Sequence, residues 1–164
     1  EQVEHVVRLL KAHLLQKRAG EEPTLGSRAT QIVERAGNCC EYCLLHQDLV
    51  ATTHQVDHVI AEKHGGAISP ENLALSCTTC NRRKSSDIAS FDPHSGALTS
   101  LFNPRASVWQ DHFEIRGALI HGRTAVGRTT VSFLQLNASE RVVERAAFMR
   151  AGSYPVYLTA RKPR

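Results

Sequence analysis

Aromatic residues are scarce in this chain of 164 residues, at 5% with a single Trp and three Tyr. A single-strand nucleic-acid binder built on stacking platforms needs more of them, which argues against that class. Long apolar runs are also missing, and no stretch approaches the roughly 20 residues needed to span a bilayer. The N-terminus has no continuous secretory core, because Glu4, His5, Arg8 and Lys11 interrupt it. It begins at Glu1 rather than Met, as a chain trimmed or cut from a longer protein does. Cysteine is absent outside residues 39–80, whereas a disulfide framework usually spreads its cysteines along the chain. A reducing, cytoplasmic setting with no membrane contact is expected.

Acidic residues are nearly missing from the C-terminal third. From Arg116 onward nine Arg and Lys face only Glu140 and Glu144, leaving about +7 there, against +4 for the whole chain. With a pI near 9.0 this suits a polyanionic partner, although a solvated arginine-rich face reads the same way. The 41% hydrophobic and 22% charged content is that of a globular protein.

The periodicity predicts an amphipathic helix over residues 2–18, with Val3, Val7, Leu10 and Leu14 on one face. A linker around Pro23 follows, then a short helix over Thr30–Ala36 stopped by Gly37. Thr53–Ile60 favours a strand, Leu73–Leu75 a short buried strand, and Thr78–Lys84 a helix. After the turn-forming run Asp92–Gly96 a hairpin is expected around Arg116-Gly117, then helices over Val126–Leu136 and Glu140–Met149. Three regions result: 1–26, helix and linker; 27–90, the motif-bearing module; 91–164, a basic extension of hairpin and helices. The fold class is α+β.

Four of the five cysteines form two C-x-x-C knuckles, Cys40/Cys43 and Cys77/Cys80. Each knuckle presents two thiolates to one side of an ion, so the pair completes a tetrahedral shell for structural Zn²⁺. Cys39 is left over, although it could exchange register with Cys40. A module of some 60 residues has a small core and benefits from such a staple.

The run Asp57-His58, Gly65-Gly66, Asn72-Leu73, Cys77-x-x-Cys80-Asn81-x-x-Lys84 resembles HNH endonucleases with a ββα-metal fold. The resemblance covers roughly residues 28–87. It implies phosphodiester hydrolysis leaving 5′-phosphate and 3′-hydroxyl ends, with Asn72 bracing the loop between the strands and helping to orient the base. Family members often carry His where this chain has Asn81. The chemistry agrees: His58 suits a general base because imidazole titrates near neutrality. Asp57, on the other side of an extended strand, and Asn81 offer oxygen to a divalent ion, favouring Mg²⁺ or Mn²⁺. Arg82, Arg83, Lys84 and His64 are expected to meet the phosphates of double-stranded DNA. No recognition helix is evident, so targeting is expected from a fused or partner protein. Two other readings stand beside this one. A non-catalytic zinc-stapled nucleic-acid binder leaves Asp57, His58, Asn72 and Asn81 unexplained. An adaptor would use the N-terminal helix as an interface.

Overall fold

Helix α1 (Leu25–Arg35) starts earlier than its apolar residues suggest, and Gly26 lies within it rather than in a linker. The computed structural model describes residues 25–155. The expected helix over residues 2–18 and the tail from 156 lie outside that range. Ile32 and Ala36 are buried against Leu73 and Leu75. The chain then reverses through Gly37 and Asn38, both at positive φ, with Asn38 N–H donating to the Val33 carbonyl at 3.1 Å. At its C-terminal end Arg35 donates to the carbonyls of Pro70 (2.7 Å) and Leu73 (2.6 Å), tying α1 to the start of β2.

Strands β1 (Gln55–His58) and β2 (Leu73–Ser76) pair antiparallel, with His58 opposite Leu73 and Asp57 opposite Ala74. All four β2 residues are buried, three of them the apolar run Leu73-Ala74-Leu75. β1 is shorter than the sequence suggested because Ile60 leaves the ladder, taking its hydrogen bonds from the Asn72 side chain instead. Helix α2 (Thr78–Lys84) follows β2 at once, with Cys77 as its N-cap.

The extension adds hairpin β3 (Ala89–Phe91)–β4 (Leu98–Ser100) and a short helix α3 (Trp109–His112). Hairpin β5 (Phe113–Arg116)–β6 (Leu119–Gly122) follows, then helices α4 (Ala125–Phe133) and α5 (Ser139–Arg150). The second hairpin and both helices match the sequence pattern. The first was hidden because Phe91 and Leu98, paired across it, are both exposed, which destroys the alternation. Gly127 lets α4 lie against the preceding segment, since a Cβ there would come within 2.1 Å of the His112 carbonyl.

The main core runs across the expected boundary near residue 90. Cys40, Tyr42, Cys43, Leu44, Cys77 and Cys80 pack with Phe102, Trp109, Phe113, Ile120, Leu134, Leu136 and Tyr154. Trp109 Nε1 donates to the Tyr42 carbonyl (3.0 Å) and the Tyr154 hydroxyl to the Cys43 carbonyl (2.8 Å). His112 stacks edge-on against Phe102, so it belongs to this packing and not to a second centre.

Candidate metal and active site

The first knuckle is a closed turn: Cys40 N–H donates to the Leu45 carbonyl at 2.9 Å and Leu44 N–H to the Cys40 carbonyl at 2.8 Å. Leu44 takes a positive φ of 61° to close it. Glu41 stitches the turn to β2 twice. Its N–H donates to the Leu75 carbonyl, and its carboxylate accepts from the Leu75 N–H, both at 2.9 Å. The same buried carboxylate pairs with Arg105 of the extension. The second knuckle opens α2, where Cys80 N–H donates to Cys77 Sγ at 3.4 Å.

The sulfurs of Cys40, Cys43, Cys77 and Cys80 all lie within 4.8 Å of one another, buried and free of disulfides. Around an ion with Zn–S near 2.3 Å, tetrahedral sulfurs stand about 3.8 Å apart. Cys43 and Cys77 are 3.8 Å apart. The cluster therefore fits a tetrahedral metal site. Burial pushes the Cys40 thiol well up, whereas hydrogen bonds from Cys40, Cys77 and Cys80 hold Cys43 well down. A divalent cation among four cysteine sulfurs favours their thiolate forms. Cys39 is buried but outside the cluster, in a bridge with His46. Arg141 reaches in from α5, donating to Cys80 Sγ at 3.1 Å and to the Leu134 carbonyl at 3.1 Å.

Strand β1 carries Asp57 and His58, the turn before β2 carries Asn72, and α2 carries Asn81 and Lys84. Asn72 is the loop's brace. Its Oδ1 accepts from Ile60 N–H (3.0 Å), while its Nδ2 donates to the carbonyls of Ile60 (2.8 Å) and Ala67 (2.9 Å). Its own carbonyl accepts from Val59 N–H at 2.8 Å, directly after His58. Gly66 passes so close that a Cβ would lie 1.7 Å from the Ile60 oxygen. Gly65, at φ +82°, caps the preceding 3₁₀ turn (Glu62–His64).

Lys84 is not on the solvent face with Arg82. Its ammonium is buried, donating to Asp57 Oδ2 (3.3 Å) and to the carbonyls of His58 (2.8 Å) and Ser85 (3.2 Å). Ser85 takes φ 48° and ψ −127° there, a conformation rare for a residue with a side chain, at the mouth of the site. Asn81 meets Gln55 rather than Asp57, its amide nitrogen donating to Gln55 Oε1. Gln55, Thr78, Asn81, Arg82 and Ser85 line one open depression. His58 Nε2 lies 3.7 Å from Glu62 Oε1, beyond hydrogen-bond reach, and is buried without a partner. Arg82 and His64 are exposed and Arg83 half-buried. His54 is buried and bonded to the Leu45 carbonyl at 2.7 Å.

Sequence reasoning missed Gln55, Glu62 and Arg141. Glu62 had no signal, since it lies in a separate turn beyond the strand that ends at His58, whereas Gln55 had one, its position two residues before Asp57 on the same strand face. Arg141 had none, being 61 residues from Cys80.

A family model for HNH endonuclease matches residues 40–87. The Septu protein PtuB of Bacillus thuringiensis is 25% identical over 114 residues, which is 68% of this chain. The chain spans 42% of that relative's length. No solved structure matches it significantly. No helix among the described residues is long and apolar enough to cross a membrane. The family match falls on the ββα hairpin, its cysteine cluster and its Asp-His pair, so the likeness to HNH endonucleases is carried by residues 40–87.

Proposed function

We propose that this module is a nuclease that hydrolyses phosphodiester bonds in double-stranded DNA, with His58 as general base. The observation that carries the reading is Asp57-His58 on β1 held through Lys84 to α2, the helix that also carries Asn81, within the stretch that matches the family. His58 takes a proton from the attacking water. Its strand position is held on both sides, by Lys84 on its carbonyl and by Asn72 on the next residue's N–H. Lys84 also holds one oxygen of Asp57, which leaves the other as the ligand atom. Asn81 spends its nitrogen on Gln55, which leaves its oxygen as the ligand atom. A Mg²⁺ or Mn²⁺ ion held by Asp57 and Asn81 would supply charge neutralisation at the phosphate. Arg82, Arg83 and His64 position the backbone without reading sequence. The four cysteines hold Zn²⁺ as a structural staple, since a full thiolate shell leaves no open coordination position. The module offers no recognition helix among the described residues, so targeting is assigned to a fused or partner protein.

The test is cleavage of supercoiled plasmid with Mg²⁺ or Mn²⁺, comparing the wild type with His58→Ala at matched zinc content. Loss of cutting by about 100- to 10,000-fold in a folded variant is expected. Equal cutting by both proteins removes His58 from the mechanism. Salt-sensitive DNA binding with no cutting by either favours a non-catalytic binding module.

A further inference from the structure

We propose that the C-terminal extension is part of the zinc centre, with Arg141 as a positioning residue whose guanidinium joins the Cys80 thiolate to the main chain of the 134–135 turn. The inference rests on the cysteine cluster holding Zn²⁺. It does not depend on catalysis.

A Zn²⁺ ion with four thiolates carries about −2 in a buried setting, where an uncompensated charge is costly. Burial of all four cysteines excludes water as the source of compensation. Arg141 answers this on geometry. It is buried, and one nitrogen, Nη2, lies 3.1 Å from Cys80 Sγ. The other, Nη1, donates to the carbonyls of Leu134 at 3.1 Å and Gln135 at 3.5 Å. Those carbonyls follow α4, where Gln135 takes a positive φ of 48°. The planar fork is thus aimed from one side by backbone oxygens and presents its remaining donors to sulfur, which a flexible ammonium does less well. Donors of this kind orient metal ligands and temper thiolate basicity.

A second thread anchors the other knuckle. The Tyr154 hydroxyl donates to the Cys43 carbonyl at 2.8 Å, and Arg145 lies over the Tyr154 ring at 5.9 Å. Arg145 provides an internal control. It is as buried as Arg141 and likewise serves carbonyls, including Leu136 at 2.6 Å, but its hydrogen bonds go to oxygen and none to sulfur. The metal centre therefore joins residues from 40 to 154 into one unit, and Arg141 gives the extension a chemical role beyond packing.

The experiment measures zinc content by mass spectrometry, then the zinc release rate from the full chain into excess chromogenic chelator. Wild type is compared with Arg141→Met and Arg145→Met. Both variants lose carbonyl hydrogen bonds, but only the first loses a bond to sulfur. Release from Arg141→Met is expected to be about tenfold or more faster than from wild type. Release from Arg145→Met should stay near the wild-type rate. Equal rates in the two variants overturn the proposal. If either Met variant does not fold, Arg141→Lys against Arg145→Lys carries the same comparison, and equal rates again overturn it. Wild type that purifies without zinc and does not take it up refutes the zinc reading itself, and the proposal with it.

Discussion

Lys84 and Arg82 sit two residues apart on the same short helix, yet one is buried among oxygens and the other lies in solvent. Their substitutions should separate cleanly. Lys84→Met leaves the Asp57 carboxylate and the His58 carbonyl without their donor, and should cost about 1–3 kcal/mol in denaturant unfolding. Arg82→Ala should leave stability within about 0.5 kcal/mol, as for other surface changes. It should instead weaken DNA binding and lower the salt slope by about 1. A Lys84→Met protein with wild-type stability would contradict the buried ion pair. Gly66 is the other sensitive point. In Gly66→Ala the new methyl meets the Ile60 carbonyl and the Asn72 amide, so the brace must open. A loss of about 1–3 kcal/mol is expected, the cost of leaving those groups unpaired. Unchanged thermal unfolding would show that the loop adjusts freely.

Among the elements, the β3–β4 hairpin depends on one buried carboxylate. Asp92 accepts from Arg128 Nε (3.0 Å) and Nη2 (2.8 Å), from Ser95 Oγ (2.8 Å) and from His94 N–H (3.3 Å). The Arg128 guanidinium holds its carboxyl well below the usual range, against the opposing effect of burial. A carboxyl with a lowered folded pKa stabilises the fold above its unfolded value, near pH 4, and that contribution fades as pH falls towards the folded value. The thermal midpoint of wild type should therefore drop more between about pH 6 and about pH 3 than that of Asp92→Asn. Parallel curves would remove Asp92 from the acid response. At this scale the antiparallel β1–β2 pair and α2 were legible, because Leu73–Leu75 and the Cys77 cap are local signals. The β3–β4 hairpin was not, since exposed Phe91 and Leu98 look like core residues in a one-dimensional pattern.

For the whole molecule, the shared core ties the extension to the cysteine knuckles. A fragment ending at residue 90 would lose Phe102, Trp109, Phe113, Arg141 and Tyr154 from around the cysteines. It should fail to give a cooperative unfolding transition even with zinc added, and a sharp transition would show that the module stands alone. In the full chain, stripping the metal should remove more stability than any single substitution above, because structural zinc sites contribute about 10–16 kcal/mol of apparent binding energy in small modules. Restoring zinc should restore the thermal midpoint. A metal-free chain with an unchanged midpoint would show that the staple is dispensable.

What the sequence determined by itself was the local chemistry: two C-x-x-C turns, an Asp-His pair on a strand, Asn72 before an apolar strand, and a short helix beginning at the second knuckle. Each of these is set by neighbours within a few residues, through capping, alternation and turn geometry. Tertiary structure decided where each side chain's charge is spent. Lys84 turns inward because Asp57 and the His58 carbonyl lie across a 26- to 27-residue separation, and Asn81 meets Gln55 across 26. Arg141 finds a cysteine sulfur 61 residues away. A basic residue has the same identity in one dimension whether it will meet solvent, phosphate or sulfur. Its partner exists only once the chain has closed on itself and taken the alternatives out of water.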